Sequence, residues 1–150
     1  MEYLWIMHSD DISKIRSFNR SYTRILGLLD KRLLGSDYTL PEVRVLYELY
    51  HHRKTSPKHI TDLLGMDKGY LSRILLSFEK KALLERKTDK KDGRAQELSL
   101  TAKGKKEFLT LNSLSNDQIS GLLSTLTEPE TKALVDHMEA IQIILQKIIQ

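Results

Sequence analysis

SPKHITDLLGMDKGYLSRILLSFEKKALLERKTDKKDGRAQELSL, residues 56–100, sets two short helix patterns, a glycine turn and a basic hairpin in direct succession. Ser56 before Pro57 is a helix start, because a serine hydroxyl accepts an orphan amide and proline in the first turn gives up no needed donor. Ile60, Leu63 and Leu64 fall inward on this helix, and Gly65 stops it in the left-handed conformation glycine permits. Asp67 caps the next helix almost at once, with Leu71, Ile74, Leu75 and Phe78 inward and an end near Ala82. Two short helices about Leu64-Gly65-Met66 make a helix-turn-helix pattern, which many helical proteins share. The next residues narrow it. Leu84 to Thr88 and Gln96 to Leu100 alternate as two short strands, and Asp89 to Arg94 is a polar turn pivoting on Gly93. A helix-turn-helix with a basic hairpin directly behind it has the order of a winged helix.

The exposed residues of that segment suit a DNA duplex. A recognition helix enters the major groove by its N-terminal part, where Lys68, Tyr70, Ser72 and Arg73 face outward. Arg73 offers a bidentate fork to guanine, Lys68 a mobile charge to phosphate, and Tyr70 and Ser72 shorter hydrogen bonds. Gly69 either lets the backbone approach DNA closely or is an ordinary glycine of a first turn. Ser56 and Lys58 on the preceding helix and Lys90 and Lys91 on the hairpin complete the candidate contacts to the backbone. Arg94 at the tip suits a narrow minor groove, whose negative potential attracts a guanidinium, and Asp92 is placed to orient it. The alternative for the hairpin is a solvated loop with a surface ion pair worth under ~1 kcal/mol.

Outward from this segment the pattern is helical. Residues 11–34 carry Ile12, Ile15, Phe18, Tyr22, Ile25, Leu29 and Leu33 at helical spacing, predicting one long helix ended near Gly35. Thr39-Leu-Pro-Glu42 is a capping box opening a helix to about His52, with Val43, Leu46, Leu49 and Tyr50 inward. Thr101 caps a further helix through Phe108, Leu111, Leu114, Ile119 and Leu122, whose continuity Gly121 leaves open. Thr127-Glu-Pro-Glu130 repeats the box before a last helix to about Ile149. That helix is apolar beyond one stripe, with Leu134, Val135, Ile141, Ile143, Ile144, Leu145, Ile148 and Ile149. A surface helix of a monomer needs one apolar face only, so the excess predicts burial against a partner; the alternative is a central core helix. Leu4, Trp5 and Ile6 suit the same partner surface. The expected fold is mainly α with a small β-hairpin, a winged helix-turn-helix on a helical base. It forms a single domain over 1–150, with a dimerisation region of about 1–36 and 108–150 and a DNA-binding lobe of about 37–107. Two-fold symmetry then predicts a homodimer on a pseudo-palindromic operator.

Charge agrees with this division. Between Lys54 and Lys106, 14 Lys and Arg stand against 7 Asp and Glu, a net of +7, and elsewhere 10 stand against 13, a net of −3. A basic middle between slightly acidic ends points to a polyanionic partner, a solvated charged face being the other reading. The absence of cysteine excludes disulfides, cysteine-ligated zinc and thiol chemistry in these residues, and fits a reducing cytoplasm. No apolar run approaches the ~20 residues of a membrane-spanning helix, and the opening residues lack the pattern of a secretory signal, so no membrane partner is expected. The histidines at 8, 51, 52, 59 and 137 make no convincing metal set, since adjacent His51 and His52 point about 100° apart on a helix. No nucleophile–base pair, glycine-rich pyrophosphate loop or other cofactor motif stands out, so neither catalytic residues nor a cofactor are expected. A winged helix that contacts protein instead of DNA is the competing class. A salt titration separates them, because phosphate contacts make affinity fall steeply with salt.

Asp67-Lys-Gly-Tyr-Leu-Ser-Arg-Ile-Leu75, Phe78-Glu-Lys-Lys-Ala-Leu-Leu-Glu-Arg86, Asp92-Gly-Arg94 and Leu98-Ser-Leu-Thr-Ala-Lys-Gly104 together resemble the multiple antibiotic resistance regulator (MarR) family. The resemblance extends over about residues 11–148. It implies an obligate homodimer whose first and last helices form the base, a cytoplasmic ligand-responsive repressor, and an Asp67–Arg94 pair bracing the hairpin on the recognition helix. It also implies a small-molecule effector between base and lobe, for which Arg16, Tyr22, Tyr47 and His51 are candidates, with packing as their alternative role. Ile15 to Arg20, Tyr22 to Asp30 and Leu40 to Leu49 are more narrowly similar to the regulator half of proteins that fuse such a domain to an N-acetyltransferase. The chain given ends at Gln150, where such a transferase begins, so it is read as a standalone relative or as the truncated DNA-binding half of a fusion.

Overall fold

A computed structural model describes residues 9–27, 33–88, 90, 91, 93 and 96–149. Among them are α1 (Ser9–Ile25), a short 3-10 turn (Leu33–Gly35), α2 (Leu40–His51), α3 (Pro57–Leu64), α4 (Lys68–Lys80), β1 (Leu84–Thr88), β2 (Gln96–Leu100), α5 (Ala102–Leu123) and α6 (Glu128–Ile149). The chain divides into two compact units, Met1–Phe108 and Leu109–Gln150. Mainly helical with one hairpin, it has the expected winged helix-turn-helix fold.

The first helix is shorter than its periodicity predicts. Gly27 takes φ 63° and its amide donates to the Arg24 carbonyl at 3.1 Å, so the chain leaves the helix after Ile25. Leu29 and Lys31 lie outside the described residues, as do Leu4, Trp5 and Ile6. The remaining starts follow their caps. The Thr39 amide donates to Glu42 Oε2 at 2.8 Å and the Glu42 amide to Thr39 Oγ1 at 3.5 Å, the reciprocal pair of a capping box. Thr127 and Glu130 repeat it at the head of α6. Gly121 does not interrupt α5, which runs unbroken to Leu123.

The core of the first unit gathers Val45, Leu46 and Leu49 from α2, Ile60 from α3, Leu71, Leu75 and Phe78 from α4, and Leu83 and Leu98 around the hairpin, all essentially sealed from water. Two positions depart from the predicted faces. Val45 is fully buried while Val43 is only half-buried, because α2 packs on both α3 and β2 and so covers a wider arc than one stripe. Leu63 is exposed. On a helix of two turns the covered arc holds Ile60 and, in part, Leu64, and Leu63 lies about 100° round from Leu64.

The junction behind α4 is closely built. Ala82 takes φ 58°, with its amide donating to the Glu79 carbonyl and that of Leu83 to Phe78, both at 2.9 Å. This is a Schellman cap with alanine where glycine is usual. The start of α5 then collects the carbonyls of the turn: Lys103 Nζ donates to Lys81, Thr101 Oγ1 to Ala82 and the Thr101 amide to Leu83, at 2.9, 2.7 and 3.0 Å. A Cβ on Gly104 would stand 2.1 Å from the Leu83 carbonyl oxygen, so α5 reaches this position only because that residue has no side chain.

β1 and β2 pair antiparallel, Leu84 with Leu100, Arg86 with Leu98 and Thr88 with Gln96. Thr55 adds an unforeseen third partner. Its amide donates to the Leu98 carbonyl at 3.2 Å and its carbonyl accepts from the Leu98 amide at 2.7 Å, tying the α2–α3 loop to the hairpin. In the second unit, α6 buries none of its residues; Ile144 and Ile148 are 63% and 77% exposed.

Candidate nucleic-acid interface

Asp67 fixes where α4 begins. Its Oδ2 accepts from the Tyr70 amide at 2.9 Å, and a Cβ on Gly69 would come within 3.1 Å of that same oxygen. Gly69 therefore has a local reason beside the two read from sequence: it leaves room for the cap. Lys68, Gly69, Tyr70, Ser72 and Arg73 are all exposed, opposite the buried face of Leu71, Ile74, Leu75 and Phe78. The Arg73 guanidinium sits 5.6 Å from the centre of the Tyr70 ring. Tyr70 is thus a platform that holds Arg73 as well as a hydrogen-bonding group, an interaction of about 0.5–1 kcal/mol at an exposed site.

Ser56, Lys58, Lys68 and Ser72 come together around a groove of about 440 Å³ where α3, α4 and the hairpin meet. Ser56 Oγ accepts from the His59 amide at 3.1 Å as the cap of α3, which leaves its own proton for another acceptor. Lys58 Nζ is 2.8 Å from Asp62 Oδ2; that hydrogen bond, and then the charge of Asp62, hold its pKa above the ordinary lysine value. The ammonium thus stays protonated throughout the neutral range.

Arg86 and Gln96 also line this groove, and sequence reasoning missed both. Arg86 Nε lies 2.6 Å from Glu79 Oε1, an ion pair too poorly angled for a hydrogen bond, and Nη1 donates to Gln96 Oε1 at 3.0 Å. One guanidinium so links α4 to both strands. The strand alternation put Arg86 on the face of Leu84, which was the available signal; its partner on α4 was not readable. Lys90 and Lys91 stand exposed beyond the strands. Asp92 and Arg94, and with them the implied Asp67–Arg94 brace, lie outside the described residues.

The effector candidates are placed differently. Tyr47 and His51 lie with ring centres 4.0 Å apart, joined by Tyr50 and Phe108 in one aromatic cluster. Tyr22 stacks on Phe18 within α1, and Arg16 is exposed. Tyr38, not singled out by sequence, joins three elements: its hydroxyl donates to Glu107 at 3.4 Å, its ring meets Phe78 edge-on, and Lys81 Nζ lies 4.7 Å over it. Burial first, and then the Glu107 charge, push its pKa up to about 12. Among the described residues no three His, Asp or Glu are grouped to hold a metal ion, and no helix is long and apolar enough to cross a membrane.

Residues 36–95 match the MarR family. The HTH-type transcriptional regulator BilQ of Clostridium symbiosum (strain WAL-14163) is 33% identical over 79 residues, 53% of this chain and 55% of BilQ, so the match spans about half of that relative. Among solved structures, Streptococcus pneumoniae FabT in complex with DNA superposes with a TM-score of 0.75 at 19% identity, over 92% of this chain and 99% of FabT. Bordetella bronchiseptica BpsR, from work on regulation of its DNA binding by 6-hydroxynicotinic acid, gives 0.69 at 17% identity, over 87% and 98%. At these identities the likeness of the structures is one of fold.

Proposed function

We propose, from the premise that residues 36–95 belong to the MarR family of transcriptional regulators, that this chain is a sequence-specific DNA-binding regulator acting as a homodimer on a pseudo-palindromic operator. The family is one of regulators, not of enzymes. The observation that carries the reading is the first half of α4, capped by Asp67 and turned outward with Lys68, Ser72 and Arg73 beside Ser56 and Lys58 of α3. Every one of these groups donates, and base edges and phosphates in a major groove accept. In this reading Arg73 reads a base, Tyr70 steadies it and Gly69 keeps the helix start slim. Lys68, Ser56 and Lys58 hold phosphates of one strand, and Lys90, Lys91 and Arg94, oriented by Asp92, hold the flank. FabT, whose fold this chain shares, was solved with DNA.

The dimer reading rests on α6, whose isoleucines lie bare in the single chain. Burying each one against a second copy contributes about 1.5–3 kcal/mol. Residues of about 1–36 and 108–150 then form the base, and 37–107 the lobe that meets DNA. A cytoplasmic repressor released by a small molecule is the finer form of this reading, supported by the effector in the BpsR work and by the aromatic cluster at Tyr47 and His51. The still finer likeness to the regulator half of an acetyltransferase fusion rests on the sequence of residues 15–49 alone. Selection of duplexes from a random pool tests the core of the proposal. An enriched inverted repeat, with half-sites about one helical turn apart, is the expected result; no enrichment refutes sequence-specific reading.

A further inference from the structure

A second cleft, of about 710 Å³, lies between α3 and the hairpin stem. Lys54, Ser56 and His59 line it from the α2–α3 loop and the first turn of α3, and Lys87, Gln96 and Glu97 from the strands. Apart from Ser56, these residues have no role in the reading above. Lys54 Nζ is 3.8 Å from Glu97 Oε1, with the lysine largely and the carboxylate partly in water, a long pair that holds neither group firmly. Glu97 is also the cross-strand neighbour of Lys87, which makes no ion pair among the described residues. Among the described residues two ammoniums therefore stand against one carboxylate, which pairs with Lys54 alone.

The neutral groups point the same way. Gln96 Oε1 already accepts from Arg86, so its amide nitrogen keeps two donors for another partner. Thr55, which also lines the cleft, is nine-tenths buried, and its hydroxyl has no partner among the described residues. The cleft sets two ammoniums, an amide nitrogen and three hydroxyls against a single carboxylate. That chemistry fits a phosphate group, which brings acceptor oxygens and negative charge and no proton to donate. Position selects the source. Ser56 and Gln96 line both this cleft and the groove beside α4, so the two share a wall, and a strand held at α4 passes its mouth.

We infer that the cleft between α3 and the hairpin stem is a phosphate site that grips one backbone phosphodiester of the DNA beside the bases read by α4. Lys54 exchanges Glu97 for the phosphate, Lys87 gains it as a partner, and Gln96 adds a neutral hydrogen bond. The inference rests on the DNA-binding reading, and the test separates the two. Fluorescence anisotropy with a duplex enriched from the random pool, about 30 base pairs or three helical turns long, is read across a salt series. The pairs are K54Q/K87Q and, to keep charge with changed shape, K54R/K87R; R73A serves as the base-reading control. Loss of one phosphate contact lowers the slope of log affinity against log salt by about 0.9, so a homodimer that loses one in each protomer drops by about 1.8. K54Q/K87Q is expected to show that loss while keeping its preference for the enriched duplex over a random one, and K54R/K87R to keep the wild-type slope. A wild-type slope in K54Q/K87Q, with R73A losing its preference, overturns the phosphate site and leaves the function standing. Wild-type protein without salt-dependent duplex binding overturns both. Inorganic phosphate titrated without DNA, read at the amides of residues 54–59 by NMR, gives the other source. Saturating shifts abolished in K54Q/K87Q, together with an unchanged duplex slope, assign the cleft to free phosphate and overturn the DNA contact.

Discussion

Gly104→Ala tests the junction behind α4 at its tightest point. The new methyl would stand 2.1 Å from the Leu83 carbonyl oxygen and 3.1 Å from Leu100 Cδ2, where ordinary contact begins near 3.4 Å. Leu83 and α5 must therefore part by more than 1 Å, and backbone on both sides leaves no side chain to swing away. Overpacking of this kind costs about 1–3 kcal/mol. The same displacement stretches the Thr101 amide bond to Leu83 and the Thr101 hydroxyl bond to Ala82, worth about 1 kcal/mol each. Against this, alanine gains about 0.8–1 kcal/mol of helix propensity over glycine. The balance is a loss of about 2–4 kcal/mol. Urea unfolding followed by far-UV circular dichroism, at fixed protein concentration because the stability of the proposed dimer depends on it, should show a midpoint lower by about 1–2 M for a slope near 2 kcal/mol/M. A variant as stable as the parent, or more stable by the propensity gain, refutes the close approach and the geometry assigned to the start of α5.

Ala82→Gly should act in the opposite direction, stabilising by about 0.5–1 kcal/mol, since the left-handed backbone at φ 58° strains alanine and not glycine; the same urea titration reads it, and a fall in stability counts against the cap. Arg73→Ala should weaken binding to the enriched duplex by about 1–3 kcal/mol and relax its base preference, read by competition against duplexes changed one base pair at a time; an unaltered preference removes Arg73 from base reading. Ile144→Glu sets a carboxylate in the proposed dimer face and should weaken self-association by at least about 100-fold, or ~3 kcal/mol, read by sedimentation velocity over a dilution series; a dimer of parental strength places the interface elsewhere.

Much of this was legible because the deciding signals are local. Caps at Thr39, Ser56, Asp67, Thr101 and Thr127 rest on side chains bonding amides three residues on, and every one forms as read. The two strands were legible from alternation. What the sequence hid lies in contacts between distant elements. Val45 is buried because two neighbours enclose α2, which no single-helix periodicity reports. Arg86 reads as one more basic strand residue until Glu79 and Gln96 are seen around it. Thr55 looks like a loop residue, yet both of its backbone groups bond Leu98. The early end of α1 was hidden for another reason: apolar spacing continues past Gly27, and periodicity does not register one residue turning left-handed. Of the candidate site, the outward residues of α4 were readable from their opposition to the buried face, whereas the cleft between α3 and the hairpin stem exists only once α3 is folded against the strands.

That Thr55 bridge changes the mechanics of the hairpin. A two-stranded arm rooted only at its base bends like a cantilever, and a pull on its tip is spent in flexing the root. Here the strand that returns from the tip is bonded a second time, at Leu98, whose side chain is sealed in the core. The arm is a beam on two supports, the second of them at Leu98. Load applied at Lys90 and Lys91 is therefore delivered to the loop that ends in the Ser56 cap of α3. In the proposed reading, a duplex too wide or too bent for the arm strains the start of α3 through Thr55 as well as α4 through Arg86 and Glu79, so the shape of the DNA reaches both helices.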